Sequence, residues 1–321
     1  MKVEEFLEEW HNDSPFVLVH TSGSTGLPKP MWVEKRRMEA SARITCDFLG
    51  LKSGSTALLC MSLDYIAGKM MVVRSLVRNL RLIVVEPSGE PLRTVADTVD
   101  FAAMVPMQVW NTLRVPEQCE RLMSIRHLII GGGAIDDDLA SALAGFPHQV
   151  WSTYGMTETL SHIALRRLNG PNASEWYSPF EGVRLSLSEE QCLIIDAPTV
   201  HDGLLVTNDI AELDADGRFK ILGRKDNVIC SGGLKIHAEE LERLLRPHLR
   251  VPYIISKRPD EKFGEIVVLL TEGPVDEAQQ VCERILPKFH QPRAYVHVDH
   301  IPLTGTGKPA RKQAEQLCIM N

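Results

Sequence analysis

Between residues 56 and 151 short apolar runs alternate with stretches of helical spacing, and that alternation restricts the fold more than any other feature of the chain. Thr56 to Met61, Leu82-Ile83-Val84-Val85, Phe101-Ala102-Ala103-Met104-Val105 and Leu128-Ile129-Ile130 read as buried strands, while Tyr65 to Val77 has helical spacing. An earlier unit has the same rhythm: an opening amphipathic helix, the run Phe16-Val17-Leu18-Val19, and then Arg37 to Leu49, whose Met38, Ile44 and Phe48 share a helical face. A strand-then-helix rhythm predicts a largely parallel sheet covered by helices, with ligands at the carboxyl ends of its strands. Leu128-Ile129-Ile130 runs into Gly131-Gly132-Gly133-Ala134, after which Asp136-Asp137-Asp138 opens a helix at its positive end.

From about Gly182 the texture changes. Val183, Leu185, Leu187 and Cys192-Leu193-Ile194-Ile195 read as short antiparallel strands, and Asp214-Ala215-Asp216-Gly217 is a turn between Ile210–Leu213 and Phe219–Leu222. Beyond Asp226 come Val228-Ile229, a break at Gly232-Gly233, and a charged amphipathic helix from Ala238 to Leu245. Strands at Tyr253–Ile255 and Ile266–Leu270 and a helix at Asp276–Leu286 follow. Two domains are therefore expected: residues 1–225, α/β with a small β unit at about 182–225, and residues 226–321, a compact α+β unit. No internal repeat or low-complexity segment interrupts them.

At 321 residues and 44% hydrophobic the chain can bury a sizeable core. A net charge of -7 argues against nucleic acid as a partner, because backbone binding needs a concentrated basic face. The 7 cysteines are odd in number and scattered, without a Cys-x-x-Cys pair, which indicates neither a disulfide framework nor a zinc site. The acidic, amphipathic N-terminus and the lack of a membrane-length apolar run predict a soluble, unprocessed cytoplasmic protein with no membrane insertion.

Four clusters carry chemistry. His20-Thr21-Ser22-Gly23-Ser24-Thr25-Gly26-Leu27-Pro28-Lys29 combines glycines for close backbone approach, hydroxyl and amide donors and one lysine, which together make a phosphate cradle. It is not the P-loop of nucleotide hydrolases, since Pro28 separates glycine from lysine. Tyr154-Gly155-Met156-Thr157-Glu158 offers a ring to stack on a base, a hydroxyl for phosphate and a carboxylate for Mg²⁺. Thr207-Asn208-Asp209 with Gly223-Arg224-Lys225-Asp226 could hold ribose hydroxyls and phosphate, a structural Asp–Arg pair being the alternative. Leu303-Thr304-Gly305-Thr306-Gly307-Lys308 presents a glycine-flanked lysine.

In this order the four clusters resemble the signatures of the adenylate-forming superfamily of acyl-CoA synthetases, luciferases and peptide-synthetase adenylation domains, from about Val17 to Leu317. Within it the chain is similar to short o-succinylbenzoate:CoA ligases through Tyr65 to Arg74 and Asp226 to Gly233. The resemblance implies an α/β adenylate-forming fold with a reduced N-terminal domain and a mobile C-terminal one, and the use of ATP, Mg²⁺, CoA and a carboxylic acid. It places Thr21, Ser22, Gly23, Ser24, Thr25, Gly26 and Lys29 on the β- and γ-phosphates, and adenine between Tyr154 and the Gly133-Ala134 backbone. Thr157 would bond the α-phosphate, Glu158 ligate Mg²⁺, and Asp209 and Arg224 hold the ribose. Asp226 matches the hinge, Ser231-Gly232-Gly233 the loop lining the pantetheine tunnel, and Lys308 the lysine bridging substrate carboxylate and α-phosphate.

For the acid, Lys69 and Arg74 lie five residues apart on one segment, so at most one is expected to face a pocket and hold a second carboxylate; ordinary solvated charges are the alternative. Met104, Met107 and Trp110 could line an aryl pocket or simply pack a core. Three departures stand out: Pro30 and Asn208 where the family commonly has glycine, and a hundred or more family residues missing before the loop. The surface so exposed favours a homodimer. A catalytically silent nucleotide-binding scaffold and an enzyme loading a carrier protein are the rival functions.

Overall fold

The computed structural model describes residues 1–20, 30–304 and 309–320. Thr21, Ser22, Gly23, Ser24, Thr25, Gly26 and Lys29 of the predicted phosphate loop, and Lys308, lie outside the described residues.

A seven-stranded sheet forms the centre, in the order Arg81–Val84, Thr56–Leu59, Phe101–Met104, His127–Ile130, Gln149–Gly155, His162–Arg167 and Ser178–Pro179. Its first five strands are parallel and its last two antiparallel. Every residue of Thr56–Leu59 and Phe101–Met104 is buried, as a strand covered on both faces requires. Alternate side chains feed two cores. Ala57, Leu59, Phe101, Ala103 and Ile129 pack beneath the helices Val3–His11, Lys35–Phe48 and Ile66–Arg78; Leu58, Ala102, Met104, Leu128 and Ile130 meet Val109, Leu122, Leu139 and Leu143 on the other side.

Two further sheets follow. Arg184–Leu187, Cys192–Asp196, Leu204–Leu213 and Phe219–Arg224 form an antiparallel meander, the small β unit, whose Leu193, Ile195, Ala211 and Phe219 join the first core. Its last turn uses Asp214, whose Oδ1 accepts from the amides of Asp216 and Arg218. Val228–Ser231, Leu234–His237, Tyr253–Asp260, Gly264–Thr271 and Ala294–His297 make a five-stranded sheet with two cores of its own, covered by Ala238–Leu245, Val275–Ile285 and Arg311–Met320.

The structure departs from the sequence reading in three places. The strand Phe16–His20 pairs antiparallel with a second strand, Pro30–Glu34, before the next helix begins. Gly232-Gly233 is the two-residue turn of a hairpin, with φ of +57° and +86° and Ser231 opposite Leu234, the left-handed geometry that glycine supplies without strain. Met104, Met107 and Trp110 do not share a pocket: Met104 is buried in the second core, whereas Met107 and Trp110 are exposed on the helix Pro106–Leu113.

Gly68 allows the helix Ile66–Arg78 to cross the preceding turn, since a Cβ there would lie 2.3 Å from the carbonyl oxygen of Ser62. Gly68→Ala is expected to destabilise the fold by about 3 kcal/mol, the upper range of overpacking, read as a lower midpoint in urea denaturation.

Candidate active site

The predicted ribose residues meet at one carboxylate. Asp209 and Arg224 are cross-strand partners in the β unit, and Arg224 Nη1 donates to Asp209 Oδ1 at 3.0 Å while Nη2 donates to Asp226 Oδ2 at 2.9 Å. Tyr154, arriving from the end of the central strand Gln149–Gly155, donates its hydroxyl to Asp209 Oδ2 at 2.6 Å. Burial, reinforced by the Asp209 charge, pushes the Tyr154 phenol far above its usual range, so it remains a neutral donor. Burial opposes the Arg224 cation, but Asp226 and Asp209 outweigh it and the net shift is upward. Asn208 Nδ2 reaches both oxygens of Asp226 at 3.3 and 3.4 Å, which gives this departure from glycine a role in the same network.

The Tyr154 ring lies edge-on to Phe219 at 4.9 Å, and Phe219 in turn stacks on Tyr177. Gly155 permits the next turn: a Cβ would sit 2.2 Å from the Ser161 carbonyl oxygen and 2.5 Å from His162 Cα. That turn is a 3-10 segment, Thr157–Thr159, closed by Thr159 Oγ1 accepting from the Met156 amide at 3.0 Å. Thr157 is buried; Glu158 is half-buried and, among the described residues, has no hydrogen-bond or ion-pair partner. The neighbouring strand ends at Ile130 and leads into Gly131, where a Cβ would strike Thr153 Oγ1, then into Gly133-Ala134. Tyr154 and Gly133-Ala134 thus leave the carboxyl ends of adjacent parallel strands, where such sheets bind ligands.

Lys69 and Arg74 are both 2% exposed, so neither is a solvated surface charge. Lys69 Nζ donates to Glu9 at 3.1 Å and to the Leu18 carbonyl at 2.8 Å, and Glu9 also accepts from the Leu18 amide; the lysine fastens the first helix to the strand Phe16–His20. Arg74 is different. Its Nη2 donates to Ser161 Oγ at 2.6 Å, its Nη1 faces the Met71 sulfur at 3.8 Å, and its Nε has no partner. No acidic side chain pairs with it among the described residues, and burial pushes the guanidinium down to about 10. Ser161 and His162, beside it, were not singled out from the sequence; the only signal was a Ser-His pair opening the apolar run Ile163-Ala164-Leu165.

Ser231, Gly232 and Gly233 form their hairpin turn on the C-terminal unit, tied by the Gly232 amide to the Phe263 carbonyl at 2.9 Å. That unit also reaches the segment after Gly133-Ala134, through Arg246–Asp136 at 3.3 Å and Arg250–Asp138 at 4.0 Å. No helix of the described residues is long and apolar enough to cross a membrane.

A parallel sheet flanked by a β unit and a small α+β unit, with a Tyr–Asp–Arg cluster at the strand ends, is the architecture of an adenylate-forming enzyme. Residues 3–200 match the AMP-binding enzyme family, and the chain belongs to that family. It is 26% identical to a 2-succinylbenzoate–CoA ligase of Bacillus licheniformis, over 95% of this chain and 70% of that protein. Among solved structures it resembles an acyl-CoA synthetase (AMP-forming)/AMP-acid ligase II-like protein from Dyadobacter fermentans, at 32% identity, TM-score 0.66, and 97% and 92% of the two chains. The fold also matches the o-succinylbenzoate CoA synthetase of Bacillus subtilis in complex with its acyl-adenylate intermediate, at 24% identity, TM-score 0.78, and 92% and 68% of the two chains. The chain thus spans about 70% of the length of the curated relatives it matches.

The site carries a pH signature. Burial, and then the Arg74 charge, hold His162 well below the usual histidine range. Above pH 6.5 neither folded nor unfolded chain binds a proton there; below it the unfolded chain does and the folded one does not. Stability contributed by His162 is therefore lost as pH falls, by up to about 1.4 kcal/mol per unit. Urea denaturation of wild type and His162→Gln between pH 7 and 5 checks this: the variant is expected to show the shallower slope.

Proposed function

We propose that this protein is an ATP-dependent, AMP-forming acid:CoA ligase whose acid carries two carboxylates, and that the acid is o-succinylbenzoate, activated in the cytoplasm for menaquinone biosynthesis. The observation that carries the choice of acid is Arg74, a buried guanidinium with an unpartnered Nε and no acidic partner among the described residues. A buried cation without an anionic partner carries a desolvation cost that a bound carboxylate would offset. One carboxylate of the acid would react and the other would lie against Arg74, while Lys69 is already matched by Glu9.

In the first step a carboxylate oxygen attacks the α-phosphorus of ATP, pyrophosphate leaves, and an acyl-adenylate forms; in the second the CoA thiolate attacks the acyl carbonyl and AMP leaves. Two anions must meet in the first step, so cations are required. Lys29 and Lys308 are assigned to that neutralisation, with Thr21, Ser22, Ser24, Thr25 and Thr157 donating to phosphate oxygens. Tyr154 and Gly133-Ala134 would hold adenine, Asp209 and Arg224 the ribose, and Ser231-Gly232-Gly233 the pantetheine arm. Glu158 suits Mg²⁺: among the described residues its carboxylate has no partner, and those residues hold no group of three or more His, Cys, Asp or Glu that would make an all-protein cage. One carboxylate with phosphate oxygens and water is what Mg²⁺ ordinarily accepts, and the ion would spread negative charge off the phosphates.

Incubation with o-succinylbenzoate, ATP, Mg²⁺ and CoA is expected to give the thioester by mass spectrometry with one AMP per product. AMP release that requires a carrier protein instead of CoA, or ATP binding without pyrophosphate exchange, would refute the assignment. Lys308→Ala is expected to slow adenylation by on the order of 10²-fold or more while thioester formation from preformed acyl-adenylate survives, measured by separate half-reaction assays.

A further inference from the structure

We propose that His162 is a positioning residue for the acid site: through Ser161 on one side and Thr45 on the other, it fixes the Arg74 guanidinium without neutralising it. The inference rests on the reading of Arg74 given above and names the residues that give it selectivity.

Four contacts form one line. Arg74 Nη2 lies 2.6 Å from Ser161 Oγ, Ser161 Oγ lies 3.2 Å from His162 Nδ1, His162 Nε2 lies 3.0 Å from Thr45 Oγ1, and Thr45 Oγ1 lies 3.2 Å from the carbonyl oxygen of Ser41. One proton assignment satisfies all four. A helix carbonyl only accepts, so the Thr45 hydroxyl donates to Ser41 and must accept from His162 Nε2–H. The neutral ring then has a bare Nδ1, which accepts from the Ser161 hydroxyl, and the Ser161 oxygen is left to accept from Arg74. The reverse assignment, with Thr45 donating to Nε2, forfeits the Ser41 bond and leaves the Ser161 hydrogen without an acceptor in this line.

Every group in the line is a neutral acceptor toward Arg74, so the guanidinium is oriented while its charge stays available. The elements packed around the imidazole supply Arg74 from Ile66–Arg78, Ser41, Ile44 and Thr45 from Lys35–Phe48, and the Phe180 ring at 5.6 Å. Glu181 lines a small cavity beside His162, and no bond between the two is formed. A carboxylate in place of His162 or Ser161 would pair with Arg74 and close the anion site. The buried imidazole is the piece that prevents this while still holding a hydroxyl against the cation.

The test measures pyrophosphate release with o-succinylbenzoate and with the two mono-acids that each lack one of its carboxylates, 4-oxo-4-phenylbutanoate and 2-butyrylbenzoate. Arg74→Met is expected to erase the preference for the diacid. Thr45→Val and His162→Leu are expected to raise KM for the diacid about tenfold, the scale of one displaced charge-assisted hydrogen bond, with kcat, KM for ATP and KM for the mono-acids little changed. Thr45→Ser, which keeps the hydroxyl, is expected to restore the wild-type value, and the Val/Ser pair suffices if His162→Leu does not fold. A wild-type enzyme without preference for the diacid, or one whose preference survives Arg74→Met, refutes the acid-site reading and this inference with it. If Arg74→Met erases the preference while the Thr45 and His162 variants keep it, the acid-site reading stands and the positioning role is overturned.

Discussion

A single carboxylate joins parts of the chain that are far apart in sequence. Asp209 is 9% exposed, and a carboxylate so placed is costly unless it is paired. Tyr154 satisfies one oxygen from the central sheet and Arg224 the other from the adjacent strand of the β unit, while the second arm of Arg224 reaches Asp226 at the entry to the C-terminal unit. Each carboxylate oxygen has room for two donors and receives one here. In the proposed enzyme the ribose hydroxyls could therefore bond Asp209 without breaking the clamp, and the nucleotide site would be assembled before the nucleotide arrives. Preorganisation of that kind spares the ligand the entropy of ordering three segments.

Lys69 and Arg74 show how the same cost of burial is met in two ways on one helix. Lys69 has a carboxylate, a carbonyl and the Phe6 ring around it, and its work is structural: it anchors the strand Phe16–His20 to the first helix. Arg74 has a hydroxyl and a thioether, both neutral, and its charge persists at pH 7 even with burial drawing it down to about 10. A buried cation lowers stability unless an anion answers it, and among the described residues only the neutral Ser161 hydroxyl and Met71 sulfur do so in part. In the proposed reading the compensation comes with the substrate, so stability is traded for affinity at the position where a second carboxylate would distinguish one acid from another.

Much of this was legible in the sequence because the physics involved is local. Consecutive apolar residues at Thr56–Leu59 and Phe101–Met104 mark strands covered on both faces, and Asp214 to Gly217 carries its turn in its own side chains. The Tyr154 and Asp209 motifs announce themselves by residue type, and the fold brings them within one hydrogen bond of each other. What stayed hidden depends on tertiary pairing. Spacing alone could not show that Glu9 would answer Lys69, nor that Phe16–His20 would pair antiparallel with Pro30–Glu34. The role of Ser161 and His162 was equally invisible, because no local pattern announces a hydroxyl that must meet an arginine 87 residues away.

The distribution of ion-pair strength also bears on motion. Inside the C-terminal unit Arg311 grips Glu242 through both carboxylate oxygens, at 3.2 and 2.8 Å, and the same guanidinium binds the Ile255 carbonyl, so helix Arg311–Met320 is fixed to its sheet. Between that unit and the segment following Gly133-Ala134, Arg246–Asp136 and Arg250–Asp138 are exposed pairs, each worth at most about 1 kcal/mol and weakened by salt. At Asp226 the contacts to Arg224 and Asn208 are partly open to water, and the Asn208 bonds are long. Water can replace such bonds at little cost, whereas the part-buried, two-pronged Arg311–Glu242 pair is costlier to break. If the C-terminal unit turned about Asp226 between the two proposed steps, these exposed pairs and the packing of Ala238–Leu245 on Phe219–Arg224 would have to yield, whereas the Arg311–Glu242 clamp would travel with the unit.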